Sequence, residues 1–395
     1  MDTTATLFAT KALRTFGDGM MAILIARYAD TIGLSGIEAG AIGTAALVGT
    51  ALATFLVGRY TERLGRRRVL LWGAILAAAT GLGYAASTAF LPLLAVAFLG
   101  TANPTSGDVS AFLPVEQAIL AQEAPAARRV TLFAWFNVAG SLAGGLGALA
   151  SGLTGLLGPA GLSAAGEIRW FFAGYAFVGI ATLWAVARLP QTVELRPQSA
   201  GGTRPGLGRS RRRVFGLAGL FATDSFAGGL IVQSMIALYL LREFDLDPAV
   251  TGAVFFLTSW LQAASFLLSA RLSLRFGLVN TMVFTHLPSN ALLALVAFAP
   301  TAPLAIAALA ARSFLSQMDV PPRQALVVSV VEPEERAAAA AYTGLTRSLA
   351  STPGPSVGGA LLGVWGGAPF VVCAGLKSAY DLALWASFRR VEPRS

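Results

Sequence analysis

The chain has 395 residues, 55% of them hydrophobic and 12% charged, with a formal charge of +9. Soluble domains carry about 25% charged residues, so a mean hydropathy of +0.67 on half that charge makes lipid the main solvent. The single cysteine, Cys373, and the single histidine, His286, exclude a disulfide framework and a zinc site, and no cofactor motif is present. The arginines fall in short loops between apolar runs, which points to topology and anionic lipid rather than to nucleic acid.

Twelve apolar runs of about 20 residues follow in chain order. The first, 7–32, is too long for a signal-peptide core and contains Lys11, Arg14 and Asp18, so it is expected to remain as a span. The others are 38–60, 68–88, 91–121, 131–156, 168–188, 214–241, 249–271, 279–299, 303–331, 337–363 and 368–388. Between the sixth and seventh, LRPQSAGGTRPGLGRSRRR reads as a linker rich in Gly, Pro and Arg. It predicts two six-helix bundles, 1–190 and 214–395, joined by 191–213.

The basic residues set the orientation. One set of loops holds Arg59, Arg63, Arg66, Arg67, Arg68, Arg128, Arg129, the linker arginines, Arg271, Arg275, Arg336 and the tail; the other holds Arg169 and Arg242, with Arg27 at a helix end. Positive charge collects on the cytoplasmic side, so both termini and the linker are expected there.

The halves repeat one another. LSGIEAGAIG (34–43) matches LDPAVTGAVF (246–255), and RLGRR (63–67) matches RFGLV (275–279), both at an offset of 212. Arg14 aligns with Asp224, Asp108 with Asp319, and Glu116 with Arg323, at offsets of 210, 211 and 207. A near-constant offset predicts a duplicated six-helix unit, which is a transporter architecture.

Between spans two and three, GRYTERLGRRR (58–68) carries Gly58, Glu62, Arg63, Gly65, Arg66 and Arg67. This spacing resembles the signature loop of the major facilitator superfamily, with Glu where Asp is more usual. The resemblance covers the whole chain and implies an all-α integral membrane fold of twelve transmembrane helices in two pseudo-symmetric bundles. It also implies a monomer, and a cavity lined by spans one, four, seven and ten. In that loop the glycines permit a tight turn, and the acid can cap a neighbouring helix N-terminus. GPSVGG (354–359) is similar to a pattern of proton-driven exporters, displaced from span five to span eleven. The span-four arginine of that group is missing; Arg312 and Gln317 stand in the analogous place in span ten. MDVPPRQ with EPEER, and FTHLPSN, resemble a bacterial efflux-like branch of the family.

Eleven ionisable side chains lie well inside the spans: Arg14, Asp18, Asp108, Glu116, Asp224, Arg312, Asp319, Arg323, Arg347, Lys377 and Asp381. At about 3 kcal/mol each, leaving them bare costs roughly 30 kcal/mol, several times a typical folding stability. They must therefore pair, face water or change protonation. Arg14/Asp18, Asp319/Arg323 and Lys377/Asp381 are four apart and can pair along one helix face. Span four carries two acids and no base, so Asp108 is the expected proton or substrate site. Glu116, about 12 Å nearer the cytoplasm at 1.5 Å per residue, is the expected gate, in contact with Arg323. Asp18, Arg14, Asp224 and Asp319 join the candidate cavity. Asn103, Asn137, Gln233, Gln262, Gln317, Arg312 and Arg347 are its other candidate polar lining.

The functional expectation is a secondary transporter, proton-coupled, exporting a small molecule across a bacterial inner membrane. The alternative is an uptake symporter for a metabolite, or for an organic anion held by Arg14 or Arg323. An intramembrane enzyme or sensor is disfavoured, because no nucleotide loop, catalytic triad or metal cluster is visible.

Overall fold

The computed structural model describes residues 2–102, 110, 112–123, 126–154, 161–194, 208, 210–331 and 335–389. Among the described residues the regular structure is helical, with no strand. Lipid cannot hydrogen-bond an open backbone, so a chain of this composition satisfies its N–H and C=O groups within helices.

Among the described residues, each of the twelve apolar runs contains helix. Unbroken spans are α1 (Thr3–Thr31), α2 (Gly36–Leu64), α3 (Arg66–Ala86), α6 (Ala126–Ala150), α7 (Ala164–Ala187), α10 (Pro248–Phe276), α11 (Leu278–Ala297) and α16 (Ala368–Phe388). Among the described residues, four spans each carry two helices. These are span four, α4 (Phe90–Leu99) and α5 (Leu113–Glu123), and span seven, α8 (Arg211–Leu230) and α9 (Gln233–Phe244). Span ten comprises α12 (Ala302–Ser316) and α13 (Val320–Ser329), and span eleven α14 (Arg336–Ser351) and α15 (Gly354–Val364). Among the described residues, seven helical stretches are long and apolar enough to cross a bilayer unaided. The others are cut by breaks or carry the charges noted above.

The breaks have local causes. Proline stands in the first turns of α13 and α15, where its missing N–H is tolerated and the preceding helix cannot continue through it. Span seven breaks at Ile231–Val232 without proline. There Gly229 lies against the Ser351 carbonyl and the Cα of Gly354, an approach that a side chain would block.

Two compact units result: Met1–Ser199 with Val232–Ser259, and Ala200–Ile231 with Trp260–Ser395. The sequence repeat divides the chain at the linker, whereas packing gathers Val232–Ser259 into the first unit. Within that unit Arg242, at the end of α9, donates from Nε to Asp30 Oδ1 at 2.9 Å and from Nη2 to the Leu34 carbonyl at 2.7 Å. Gly252 of α10 lies against the Ala148 carbonyl of α6.

The first unit's core gathers Met21, Leu24, Tyr28, Ile42, Tyr84 and Phe172, with a second cluster around Leu7, Phe112, Ile119 and Phe136. The second unit's core gathers Val214, Leu217, Phe221, Met282, Val330, Tyr380 and Leu384. Each unit also turns large apolar side chains outward, Phe177 and Trp72 in the first and Phe284 in the second. Exposed rings of that kind fit a lipid-facing surface.

Candidate functional site

The buried charges of each unit form a network. In the first unit, Arg14 of α1 reaches Glu116 in the first turn of α5. Nη1 meets Oε1 at 2.5 Å and Nη2 meets Oε2 at 2.8 Å, with the Glu116 residue 1% exposed. Two parallel bonds match the guanidinium fork to the carboxylate. The expected Arg14/Asp18 pair along one helix gives way to this contact, because a planar fork is satisfied better by a facing carboxylate than by one a turn along its own helix. Asp18 accepts a hydrogen bond from the Tyr175 hydroxyl of α7 at 3.4 Å, and Tyr175 is also 3.3 Å from the Thr101 hydroxyl. Buried Lys11 lies over the Phe136 ring, Nζ 5.6 Å from its centroid, in the groove left by Gly140.

In the second unit, Asp224 of α8 holds two bases: Lys377 Nζ of α16 at 2.5 Å and Arg323 Nη1 of α13 at 3.4 Å. Arg323 also bonds Asp319 at 2.6 Å, the expected pair four residues apart. The expected Lys377/Asp381 pair is not the one formed. Lys377 turns to Asp224, and Asp381 is held by His286 Nδ1 at 3.0 Å and Asn290 Nδ2 at 2.8 Å, both on α11. Arg347 of α14 donates from Nε to the Ser225 hydroxyl at 3.0 Å. Arg312 is half-buried on α12, in electrostatic reach of Cys373 and Asp224.

The sign swap of the repeat acquires a geometric meaning here. Arg14 corresponds to Asp224 and Glu116 to Arg323, and each pair closes inside its own unit with opposite polarity. Within the first unit Glu116 is paired with Arg14, and within the second Arg323 is paired with Asp224 and Asp319. Asp108 and Asn103 lie outside the described residues. Asn137 is exposed on α6, while Gln233, Gln262 and Gln317 are half-buried. Lys377, Asp381, His286, Asn290, Tyr175 and Lys11 belong to the networks but not to the expected site. Burial of a charge is the signal that could have found Lys11, Lys377 and Asp381; the partners of the rest depend on helix packing.

The signature loop is built from its backbone. Gly65, at φ +89°, joins α2 to α3, and the corresponding Gly277, at φ +83°, joins α10 to α11. Glu194 caps α3, accepting from the Arg66 N–H at 2.6 Å and the Arg67 N–H at 3.2 Å. Arg67 also donates to the Ala187 carbonyl at 2.6 Å, and Arg63 is exposed. The side chain of Glu62 and the surroundings of Gly58 lie outside the described residues. Among those described, the acid that caps α3 is Glu194, contributed from beyond span six. In the second unit Glu335 plays a similar part, accepting from the Gly208 N–H at 2.8 Å and the Ser210 N–H at 3.1 Å.

Glycines let span five and its counterpart lie close to their neighbours. Gly19 of α1 faces the Gly144 carbonyl, and Gly147 faces the Phe16 carbonyl. In the second unit Gly354 meets Gly229, and Gly358 meets the Leu230 carbonyl. The GPSVGG stretch therefore serves helix packing in span eleven.

Comparison with known proteins gives the same architecture. An uncharacterized membrane protein of Saccharomyces cerevisiae is 24% identical over 98% of this chain and 94% of its own length. The solved nucleoside transporter NupG covers 98% of this chain and 100% of its own, at TM-score 0.79 and 17% identity. A D-xylose–proton symporter covers 97% of each chain at TM-score 0.76 and 16% identity. The human organic anion transporter covers 96% of this chain and 98% of its own at TM-score 0.64 and 20% identity. At these identities the solved structures speak for the fold. The family model described as Major Facilitator Superfamily matches residues 7–232 and again 216–395. With a match to each half of a chain whose halves also repeat in sequence, in turn glycines and in buried ion pairs, this protein belongs to the Major Facilitator Superfamily and is a multi-pass membrane transporter, not an enzyme.

Proposed function

We propose that this chain is a proton-coupled secondary active transporter that exports a small organic solute across a bacterial inner membrane by alternating access. The observation that carries the reading is the buried charge network of each unit, Arg14 with Glu116 and Asp224 with Lys377 and Arg323. Buried ion pairs can often be replaced by apolar groups of similar volume without loss of stability. Scaffolding alone therefore gives little reason to keep so many. A carrier does have a use for them, because groups that exchange partners or protons couple ion movement to conformational change.

In this reading Asp108, Asp18, Asp224 and Asp319 handle protons and substrate. Glu116 and Arg323 act as gating residues by releasing Arg14 and Asp319. The chain acts as a monomer, with two six-helix halves divided at 191–213 and both termini in the cytoplasm. Uptake by symport is the second reading, favoured by the likeness to a D-xylose–proton symporter.

Reconstitution into liposomes with an imposed pH gradient and a compound panel tests the proposal. One compound whose movement depends on the gradient, and whose coupling is lost in Asp108→Asn, is the expected result. Movement indifferent to the gradient removes the proton, and coupled flux unchanged in Asp108→Asn moves the proton site elsewhere.

A further inference from the structure

The buried charges of the second unit do not balance as pairs. Asp224 is taken by Lys377 and Arg323, Asp319 by Arg323, and Asp381 by His286 and Asn290. Two guanidinium groups are left without a carboxylate. Arg347 directs its Nε to the neutral Ser225 hydroxyl, which leaves the outer nitrogens of the fork uncommitted. Arg312 makes no hydrogen bond or ion pair among the described residues. Both lie within electrostatic reach of Asp224.

An independent feature joins them. The Tyr380 hydroxyl, on a residue 2% exposed, has no hydrogen-bond partner among the described residues. Its ring packs against Phe221 of α8, centroids 6.3 Å apart, one helical turn from the Ser225 that Arg347 bonds, and Lys377, three residues earlier on α16, holds Asp224. Buried donors are normally satisfied, and an orphan calls for an explanation. Here a donor and two cations share one neighbourhood, and its carboxylates are already engaged. What the group lacks is one anion.

We propose that the transported solute is a small organic anion, its carboxylate bound by the Arg347 guanidinium and the Tyr380 hydroxyl, with Arg312 as the second positive charge. The inference rests on the transporter reading above and names its substrate class. Geometry favours a carboxylate, because a guanidinium fork offers two parallel N–H donors to two oxygens. A neutral solute would leave the one excess positive charge of the cluster uncompensated. Arg14 and Arg323, the bases that the sequence offers first for an anion, already hold Glu116 and Asp319. An anionic lipid headgroup presents similar chemistry, and the experiment separates it from a soluble solute.

Benzoate and succinate, with benzamide and succinamide as neutral counterparts, are titrated into the full-length protein in phosphatidylcholine nanodiscs, and thermal unfolding is followed. The carboxylates are expected to raise the midpoint and the amides to leave it unchanged. The apparent Kd should weaken about tenfold in Arg347→Gln, the size of effect expected for losing a charge-assisted bond. Arg347→Lys, which keeps the charge without the fork, should lie between. Should Arg347→Gln fail to fold, Tyr380→Phe removes only an unbonded hydroxyl and should still weaken carboxylate binding. Equal response to acids and amides, or carboxylate binding unchanged in the Arg347 and Tyr380 variants, overturns the proposal. So does a response to added phosphatidylglycerol with none to the soluble acids. Gradient-driven movement of a neutral compound alone would remove the anion site and leave the transporter intact. Carboxylate binding with no gradient-driven movement would support the site and remove the coupled reading.

Discussion

Asp224 and Arg323 stand 3.4 Å apart with the polarity opposite to that of Arg14 and Glu116, which meet at 2.5 Å. The four residues occupy two pairs of corresponding positions in the repeat. Inverting both members keeps a buried pair intact, whereas inverting one leaves like charges facing each other in a low-dielectric interior. The two units therefore share an interaction although they do not share the residues that make it.

That relationship sets the cost of breaking it. Glu116→Gln leaves the Arg14 charge buried without its partner and should destabilise the protein by about 3–5 kcal/mol. Arg14→Met with Glu116→Leu removes both charges and should cost far less. Thermal unfolding of the single and double variants measures the difference; equal losses in the two would mean that the stranded Arg14 charge carries no penalty of its own.

The partner exchange among Lys377, Asp224 and Asp381 is open to double-mutant cycles. Lys377/Asp224 should show a coupling of about 1–3 kcal/mol, as groups in direct contact do. Lys377/Asp381, one turn apart on α16, should show no more than the few tenths of a kcal/mol typical of a helical pair. The reverse ranking would restore the local pairing that the sequence suggests.

Two kinds of glycine should respond oppositely to alanine. At Gly19 a new Cβ would collide with the Gly144 carbonyl, and helices that must move apart should cost about 1–3 kcal/mol. At Gly174 of α7 and Gly219 of α8 nothing lies within 4 Å of a new Cβ. There the gain in helix propensity should stabilise by up to about 1 kcal/mol. Melting midpoints in one detergent decide the sign at each position.

Gly65 and Gly277 carry the positive φ of the two corresponding turns, +89° and +83°. With ψ of 142° and 163° they occupy a region open essentially to glycine alone. Gly277→Ala should therefore cost about 1–3 kcal/mol from backbone strain, since nothing lies within 4 Å of the new Cβ. Gly65→Ala should cost more, because its Cβ would also press on the Glu194 carboxylate that caps α3.

Much of the fold was legible because lipid imposes a simple rule on the chain. Each span needs about 20 apolar residues, and the breaks in spans ten and eleven fall at prolines 321, 322, 353 and 355, residues that a sequence displays openly. The break in span seven was not visible, because Gly228-Gly229 becomes a break only when α14 and α15 lie beside it. The intramembrane charges could be counted from the sequence, but their partners could not. Periodicity places residues four apart on one face, so Asp319/Arg323 was readable. Arg14/Glu116 and Lys377/Asp224 are 102 and 153 residues apart, and their contact is decided by which helix faces meet. His286 looked like an isolated histidine until α11 brought it against Asp381.

If the buried charges operate the transport cycle and are more than scaffolding, neutralising one of them must uncouple transport. Substrate-driven proton flux into liposomes, compared between wild type and an Asp224→Asn variant shown to be folded, tests it most directly. Coupled flux is expected to fall by at least about 100-fold, a loss of roughly 2.7 kcal/mol, while the variant still binds its solute. Coupled flux that persists at the wild-type rate would contradict it.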